Sequence, residues 1–315
     1  MLRTLDRRWL KGRTVLVCMA VMCLGLTALA APATAAPAPT ASEGESPEGA
    51  NDWSCIPSPA HPRPVVLVHG TWADMATTWK TLSPALKAEG YCVFALNYGT
   101  RAPGTLQNLL DLVGGDTIER SARSLGDFVS RVRTATGAAQ VDVVGHSQGA
   151  LVARSYLKSG GGSDAVSPER NIVRTLVSLA GTNQGTSFNI NQQLGAIAEM
   201  LGIPVVTLAA ATVGPSYIEQ MAGSPFLREL AAGGDTRPGV DYVAVGTKQD
   251  TMVTPPEHSF LKPVPGATVK NVWVQDGCES AEANHMEVTS SPRSVWITQA
   301  ALDPGYARTH PAPCP

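Results

Sequence analysis

The stretch Val141-Asp142-Val143-Val144-Gly145-His146-Ser147-Gln148-Gly149-Ala150-Leu151-Val152 decides the fold of this chain. Its first four residues make a short, mostly apolar and β-branched run of the kind that fills a strand. From Ala150 to Lys158 the pattern is helical. Between them stands Gly-x-Ser-x-Gly, and strand, turn and helix come in the order that gives this motif chemical meaning. Glycines at 145 and 149 spare a sharp turn any Cβ clash, so Ser147 is expected at the tip of a tight elbow. The helix starting there aims the free N–H groups of its first turn at whatever oxygen sits above the serine. Ser147 is the candidate nucleophile, and a plain Gly/Ser turn is the alternative.

Upstream, Pro64-Val65-Val66-Leu67-Val68 is a continuous apolar run, as expected of a strand buried on both faces of a parallel sheet. It ends in His69-Gly70-Thr71-Trp72, a helix is expected around 77–87, and a second strand over 92–96. Residues 117–133 space Ile118, Ala122, Leu125, Phe128, Val129 and Val132 along one helical face. Downstream, strands are expected at 171–179, 241–245 and 269–274, with a closing helix at 293–303. Strands alternating with helices imply an α/β domain with a mostly parallel central sheet, expected as a single unit over 53–315. The stretch 186–234 breaks the alternation with a nearly continuous apolar run from Leu194 to Val206, interrupted by Pro204, then Leu208 to Ala211. An interior proline breaks a helix, so two short helices are expected. They read either as core-packing helices or as a helical cap over the serine.

The chain has 315 residues and opens on a signal-like segment. Arg3, Arg7, Arg8, Lys11 and Arg13 precede an apolar run from Val15 to Ala30 and the small residues Ala33-Thr34-Ala35. Cleavage is expected after Ala35; an uncleaved anchor is the rival, although the run is short for a span. Arg7-Arg8 only partly resembles a twin-arginine signal. Residues 36–52, rich in Pro, Glu and Gly, read as a disordered leader. Without residues 1–35, the 24 Lys+Arg and 26 Asp+Glu become 19 and 25, a net charge near −6. No basic cluster remains, which argues against a nucleic-acid partner. Cys55, Cys92, Cys278 and Cys314 also remain, an even number that suggests two disulfides in an exported chain. Four cysteines allow three connectivities, and pairing by region favours Cys55–Cys92 with Cys278–Cys314. No Cys-x-x-Cys supports zinc, and no metal or cofactor is expected.

A serine hydroxyl needs a neighbouring base, itself oriented by a third group. In sheets of this type the chain order is nucleophile, acid, histidine. His285 follows the last expected strand and precedes the last helix, the loop position a base would need; His258 is the rival, and His310 lies in a Pro-rich tail. For the acid, Asp250 sits just beyond the strand Tyr242-Val243-Ala244-Val245, whereas Asp235, Asp241, Asp276 and Glu257 are less well placed. Oxyanion donors are expected from the backbone N–H groups of Gln148 and Thr71, with the Thr71 hydroxyl as a further candidate. His69 and His146 flank the elbow in tight turns and are not expected to act as the base.

Together His69-Gly70-Thr71-Trp72, Gly90–Gly99, Gly145-His146-Ser147-Gln148-Gly149, Gly246–Asp250 and Asn284-His285 resemble the secreted bacterial lipases of the class 2 family, over roughly residues 53–305. The resemblance implies the α/β-hydrolase fold and a triacylglycerol lipase or short-chain carboxylesterase using Ser147, Asp250 and His285, with Thr71 and Gln148 at the oxyanion hole. A lipid or small ester substrate, a lipid–water interface, a monomeric state and an extracellular location follow as expectations. An acyltransferase, a serine peptidase or a non-catalytic binding module could use the same scaffold.

Overall fold

A computed structural model of the protein describes residues 44–99, 112–189 and 191–315. The expected signal segment, 1–35, and the first part of the expected leader lie outside these residues. Among the described residues, six strands form one wholly parallel sheet: β1 (Val65–Val68), β2 (Val93–Leu96), β3 (Val141–His146), β4 (Val173–Leu179), β5 (Asp241–Gly246) and β6 (Thr268–Trp273). Their spatial order is β2-β1-β3-β4-β5-β6. The apolar runs of β1, β2 and β3 are buried at every position, as strands covered on both faces must be.

Among the described residues the helices are α1 (Leu82–Ala88), α2 (Ile118–Thr136), α3 (Gln148–Ser159), α4 (Asn191–Met200), α5 (Val205–Thr212), α6 (Pro215–Glu219), α7 (Pro225–Ala231) and α8 (Pro292–Leu302), with two single α-helical turns and three 3₁₀ turns besides. The helix expected over 77–87 is divided, because Asp74 caps a separate turn at Met75–Thr78 by accepting from the Thr77 N–H at 2.8 Å. α2 buries the apolar face read from its spacing, placing Leu125, Phe128 and Val129 in a cluster with Phe94 of β2 and Leu151 of α3. The other sheet face carries a second cluster, in which Trp79 and Leu86 meet Val65, Leu67 and Ile297.

Residues 44–52, expected within a disordered leader, are instead attached to the sheet. β2 is an edge strand whose outer N–H and C=O groups need partners. The Asn51 side chain supplies both: its Nδ2 donates to the Ala95 carbonyl at 3.0 Å and its Oδ1 accepts from the Ala95 N–H at 2.9 Å. Local polarity read as disorder is therefore edge pairing. Disulfides join Cys55 to Cys92, beside this attachment, and Cys278 to Cys314. No described helix is long and apolar enough to cross a membrane.

The residues of interest leave the carboxyl ends of β1, β3, β5 and β6, at one end of the sheet. The motif glycines explain how β1 and the β3–α3 elbow come so close. A Cβ on Gly149 would run into the Val68 carbonyl oxygen and lie 2.6 Å from that of His69. One on Gly145 would lie 2.6 Å from the Gly149 carbonyl carbon. Neither glycine has positive φ; that conformation falls on Ser147 itself.

Candidate active site

Ser147 stands between β3 and α3 at φ 54°, ψ −122°. L-residues rarely adopt this region, and they persist there only where the surroundings hold them. The hold comes from both sides: the Ser147 N–H donates to the Leu179 carbonyl of β4 at 2.9 Å, and its own carbonyl accepts from the Ala150 N–H at 3.1 Å. The hydroxyl is thereby presented at the carboxyl end of the sheet, in a side chain that is nevertheless buried.

His285 meets Ser147 across 138 residues of sequence, with Nε2 3.0 Å from the serine Oγ. Its Nδ1 lies 2.9 Å from Asp250 Oδ2. A carboxylate oxygen accepts, so Nδ1 carries the proton and Nε2 is free to accept from the serine hydroxyl. The second carboxylate oxygen of Asp250 accepts from the backbone N–H groups of Met252 and Val253, both at 2.8 Å. Those two bonds fix the carboxylate just past β5. The structure thus brings Ser147, His285 and Asp250 into one hydrogen-bonded relay.

The other candidates are engaged elsewhere. His258 Nδ1 donates to the Gly185 carbonyl at 2.7 Å, and His310 stacks on Tyr306. Asp241 pairs with Arg174, Asp235 with the buried Arg154, and Asp276 accepts from the Trp273 N–H. His146 is buried, with Nε2 donating to the His285 carbonyl at 2.9 Å, so it steadies the loop that carries the base. Burial holds its pKa down at about 3, with the neighbouring His285 adding to the effect. His69 stacks on Tyr98 at 4.3 Å, and burial lowers its pKa to about 4. Neither flanking imidazole bonds Ser147.

Thr71 follows β1, and Gln148 is the first residue of α3. The Gln148 N–H has no carbonyl one turn back within its helix. Among the described residues, neither it nor the Thr71 N–H has a protein acceptor. The Thr71 hydroxyl differs: it donates to Gln148 Oε1 at 2.5 Å. Its single proton is committed there, and the expectation of a further free donor is not met in this arrangement. A residue that sequence reasoning missed completes the group. Gln220 Nε2 donates to Thr71 Oγ1 at 2.8 Å and to Gln148 Oε1 at 2.9 Å. No motif surrounds Gln220, and 72 residues separate it from Gln148, so no local signal could have found it.

A cavity of about 150 Å³ opens over the serine, walled by Thr71, Trp72, Phe188, Tyr217, Met252 and His285. A larger one of about 710 Å³ shares Trp72, Phe188, Tyr217 and Met252 and continues along Val205 and Leu208. Trp72, Tyr217 and Phe188 stack in sequence, with ring centroids 5.5 and 4.3 Å apart. No group of three or more His, Cys, Asp or Glu is placed to hold a metal ion among the described residues.

The family model for lipase (class 2) matches residues 62–296. A comparison with curated proteins finds no match. Among solved structures, lipase B of Aspergillus fumigatus is similar over 87% of this chain, at a TM-score of 0.58 and 18% identity. This chain spans 65% of that lipase. A Bacillus licheniformis lipase in its mature form is similar over 78% of this chain and 94% of its own, at a TM-score of 0.52 and 14% identity. A monoacylglycerol lipase of Paleococcus ferrophilus is similar over 80% and 96%, at a TM-score of 0.51 and 14% identity. At these identities the likeness establishes the fold.

Proposed function

The chain belongs to the class 2 lipase family, and so to the hydrolases of ester bonds; from that premise we propose that it cleaves lipid esters through an acyl-enzyme on Ser147. The observation that carries this reading is the Ser147–His285–Asp250 relay at the floor of an apolar cavity. Ser147 Oγ attacks the ester carbonyl carbon while its proton passes to His285 Nε2. Asp250 stabilises the imidazolium through Nδ1–H. The carbonyl oxygen, now an oxyanion, accepts from the backbone N–H groups of Thr71 and Gln148. The intermediate collapses, the alcohol leaves with the proton from His285, and the serine is left acylated. Water then attacks the acyl carbon, giving its proton to His285, and the carboxylic acid departs as the proton returns to Ser147.

The larger cavity, lined by Val205, Leu208 and the aromatic stack, supports an acyl chain as the group held beside the serine. Each buried CH₂ would contribute about 0.8 kcal/mol, so kcat/KM should rise with acyl length until the cavity is filled. The experiment is a chain-length series of p-nitrophenyl esters beside emulsified triacylglycerol, on the wild type and Ser147→Ala. The variant should lose roughly 10⁴- to 10⁶-fold in kcat. Ester hydrolysis unchanged in Ser147→Ala overturns the mechanism. Activity confined to acetyl and butyryl esters would instead make it a short-chain esterase.

A further inference from the structure

Beneath the cavity, four chain segments converge on the side chain of Gln148. Its Nε2 donates to the Gly114 carbonyl at 2.9 Å, and Ser216 Oγ donates to the same oxygen at 2.9 Å. The loop carrying Gly114 is in turn tied to β2's exit, its N–H donating to the Tyr98 carbonyl at 2.7 Å. Tyr98 returns to the oxyanion loop, its hydroxyl donating to the His69 carbonyl at 2.6 Å. Gln220 closes the group from α6's end: its Nε2 faces Thr71 Oγ1, Gln148 Oε1 and the Ser216 carbonyl, and its Oε1 accepts from Thr182 Oγ1 at 3.0 Å. Both amides are oriented without ambiguity. Gln148 turns its nitrogen to one backbone carbonyl and Gln220 turns its nitrogen to another, and carbonyls only accept. Thr71 Oγ1, Gln148 Oε1 and Gln220 Nε2 therefore make a closed ring of contacts, in which the two amide hydrogens of Gln220 are shared among Thr71 Oγ1, Gln148 Oε1 and the Ser216 carbonyl, almost without solvent exposure at Gln148 and Gln220.

We propose that Gln220 is a positioning residue for the oxyanion hole, holding the Thr71 loop and the first turn of α3 at the separation their two backbone donors need. The proposal rests on the reading of Ser147 as the acylated nucleophile. Without Gln220, Gln148 Oε1 and Thr71 Oγ1 still bond each other, but that pair loses its direct hydrogen bonds to the end of α6. The shared Gly114 carbonyl and the Trp72–Val213 bond are left to join the oxyanion loop and the first turn of α3 to the 213–220 segment. The donors act on charge that develops only in the transition state, so the loss should fall on kcat and leave ester binding alone. A donor loosened is a smaller loss than a donor removed, and about a tenfold fall in kcat is expected.

The test uses Gln220→Met, which keeps side-chain length without the amide, and Thr71→Val, which keeps the backbone N–H and opens the same ring from another corner. Each is assayed on p-nitrophenyl butyrate, with a trifluoromethyl ketone as a tetrahedral-adduct probe and thermal unfolding as a check of folding. The expected result is kcat lower by about tenfold, KM within about twofold, ketone affinity falling in parallel, and a double variant little worse than the poorer single one. Gln220→Glu, close in shape but without the two N–H donors of the amide when ionised, should not restore kcat. Unchanged kcat and ketone affinity in both single variants, with Ser147→Ala inactive, overturns the proposal and leaves the mechanism standing. Activity surviving in Ser147→Ala removes the mechanism, and the proposal falls with it. Should Gln220→Met fail to fold, Thr71→Val alone decides between these results.

Discussion

At Ser147 the backbone is strained where the proposed chemistry needs it to be. Positive φ on a non-glycine residue costs of the order of 1–3 kcal/mol, and here it lifts the hydroxyl clear of the sheet. The mirror image of this conformation lies in the polyproline region, which glycine reaches freely. Ser147→Gly and Ser147→Ala both remove the hydroxyl, but only the first relieves the strain. The glycine variant should therefore be more stable than the alanine variant by about 1 kcal/mol, after the extra entropy of an unfolded glycine is subtracted. Chemical denaturation of the two inactive proteins measures the difference, and equal stabilities would mean that the elbow holds Ser147 without strain. Much at this scale was legible beforehand. Gly-x-Ser-x-Gly between a strand pattern and a helix pattern has one usual geometry, and Asp250 and His285 could be read from their places after strands. Gln220 could not be read, because its part comes from hydrogen bonds to Thr71 and Gln148 that have no counterpart in local sequence.

Among the elements, the stretch 186–234 divides into two unlike halves. α6 and α7 are built into the molecule, with Ser216, Gln220, Leu227 and Leu230 buried. Trp72 Nε1 donates to the Val213 carbonyl at 2.7 Å, pinning the segment between α5 and α6 to the oxyanion loop. α4 and α5 have no buried side chain among those described, and Leu194, Ile197, Met200, Leu201, Ile203 and Leu208 are 52–87% exposed. Core-packing helices would not present such a face. The run divides into two short helices as expected, the first ending at Met200 and Pro204 standing at the N-cap of the second, but an apolar run looks the same in sequence whether it is buried or outward, since periodicity records amphipathicity and this run has little. An apolar patch of this kind is suited to a lipid surface. Replacing both Ile197 and Leu201 by Asp should weaken hydrolysis of emulsified triacylglycerol by about tenfold or more, given the 1.5–3 kcal/mol that each fully buried aliphatic side chain is worth. Hydrolysis of soluble p-nitrophenyl butyrate should stay within about twofold, since neither residue lines the cavity over Ser147. Equal losses on both substrates would assign the two residues to folding instead of to the interface.

For the molecule as a whole, two disulfides suit an oxidising compartment, and two buried imidazoles set how stability should vary with pH. Burial lowers the pKa of His69 to about 4 and that of His146 to about 3, whereas an unfolded imidazole titrates near 6.5. His69 has a physical reason to refuse a proton: Nδ1 already donates to the Gly70 carbonyl, and Nε2 is buried without an acceptor. Above about pH 7 both groups are neutral folded or unfolded and contribute no pH dependence. Below about 6.5 the unfolded chain takes up protons that the folded one does not, so stability falls with pH, by up to about 1.4 kcal/mol per unit per group, until the folded imidazole titrates in turn. Burial raises the pKa of Asp142 and Glu219, and those carboxyls act in the opposite direction as pH falls. A single stability curve therefore mixes the two, and the informative quantity is the difference from His69→Asn, in which the groups that do not feel His69 cancel. Asn keeps a donor for Gly70 but never charges, so its stability relative to wild type should be constant above pH 7. Between about pH 6.5 and 4 it should then improve steadily, by up to about 1.4 kcal/mol per pH unit. Urea unfolding at half-unit steps reads this directly, and a difference that stays flat down to pH 4 would mean that the folded protein protonates His69 as readily as the unfolded chain does.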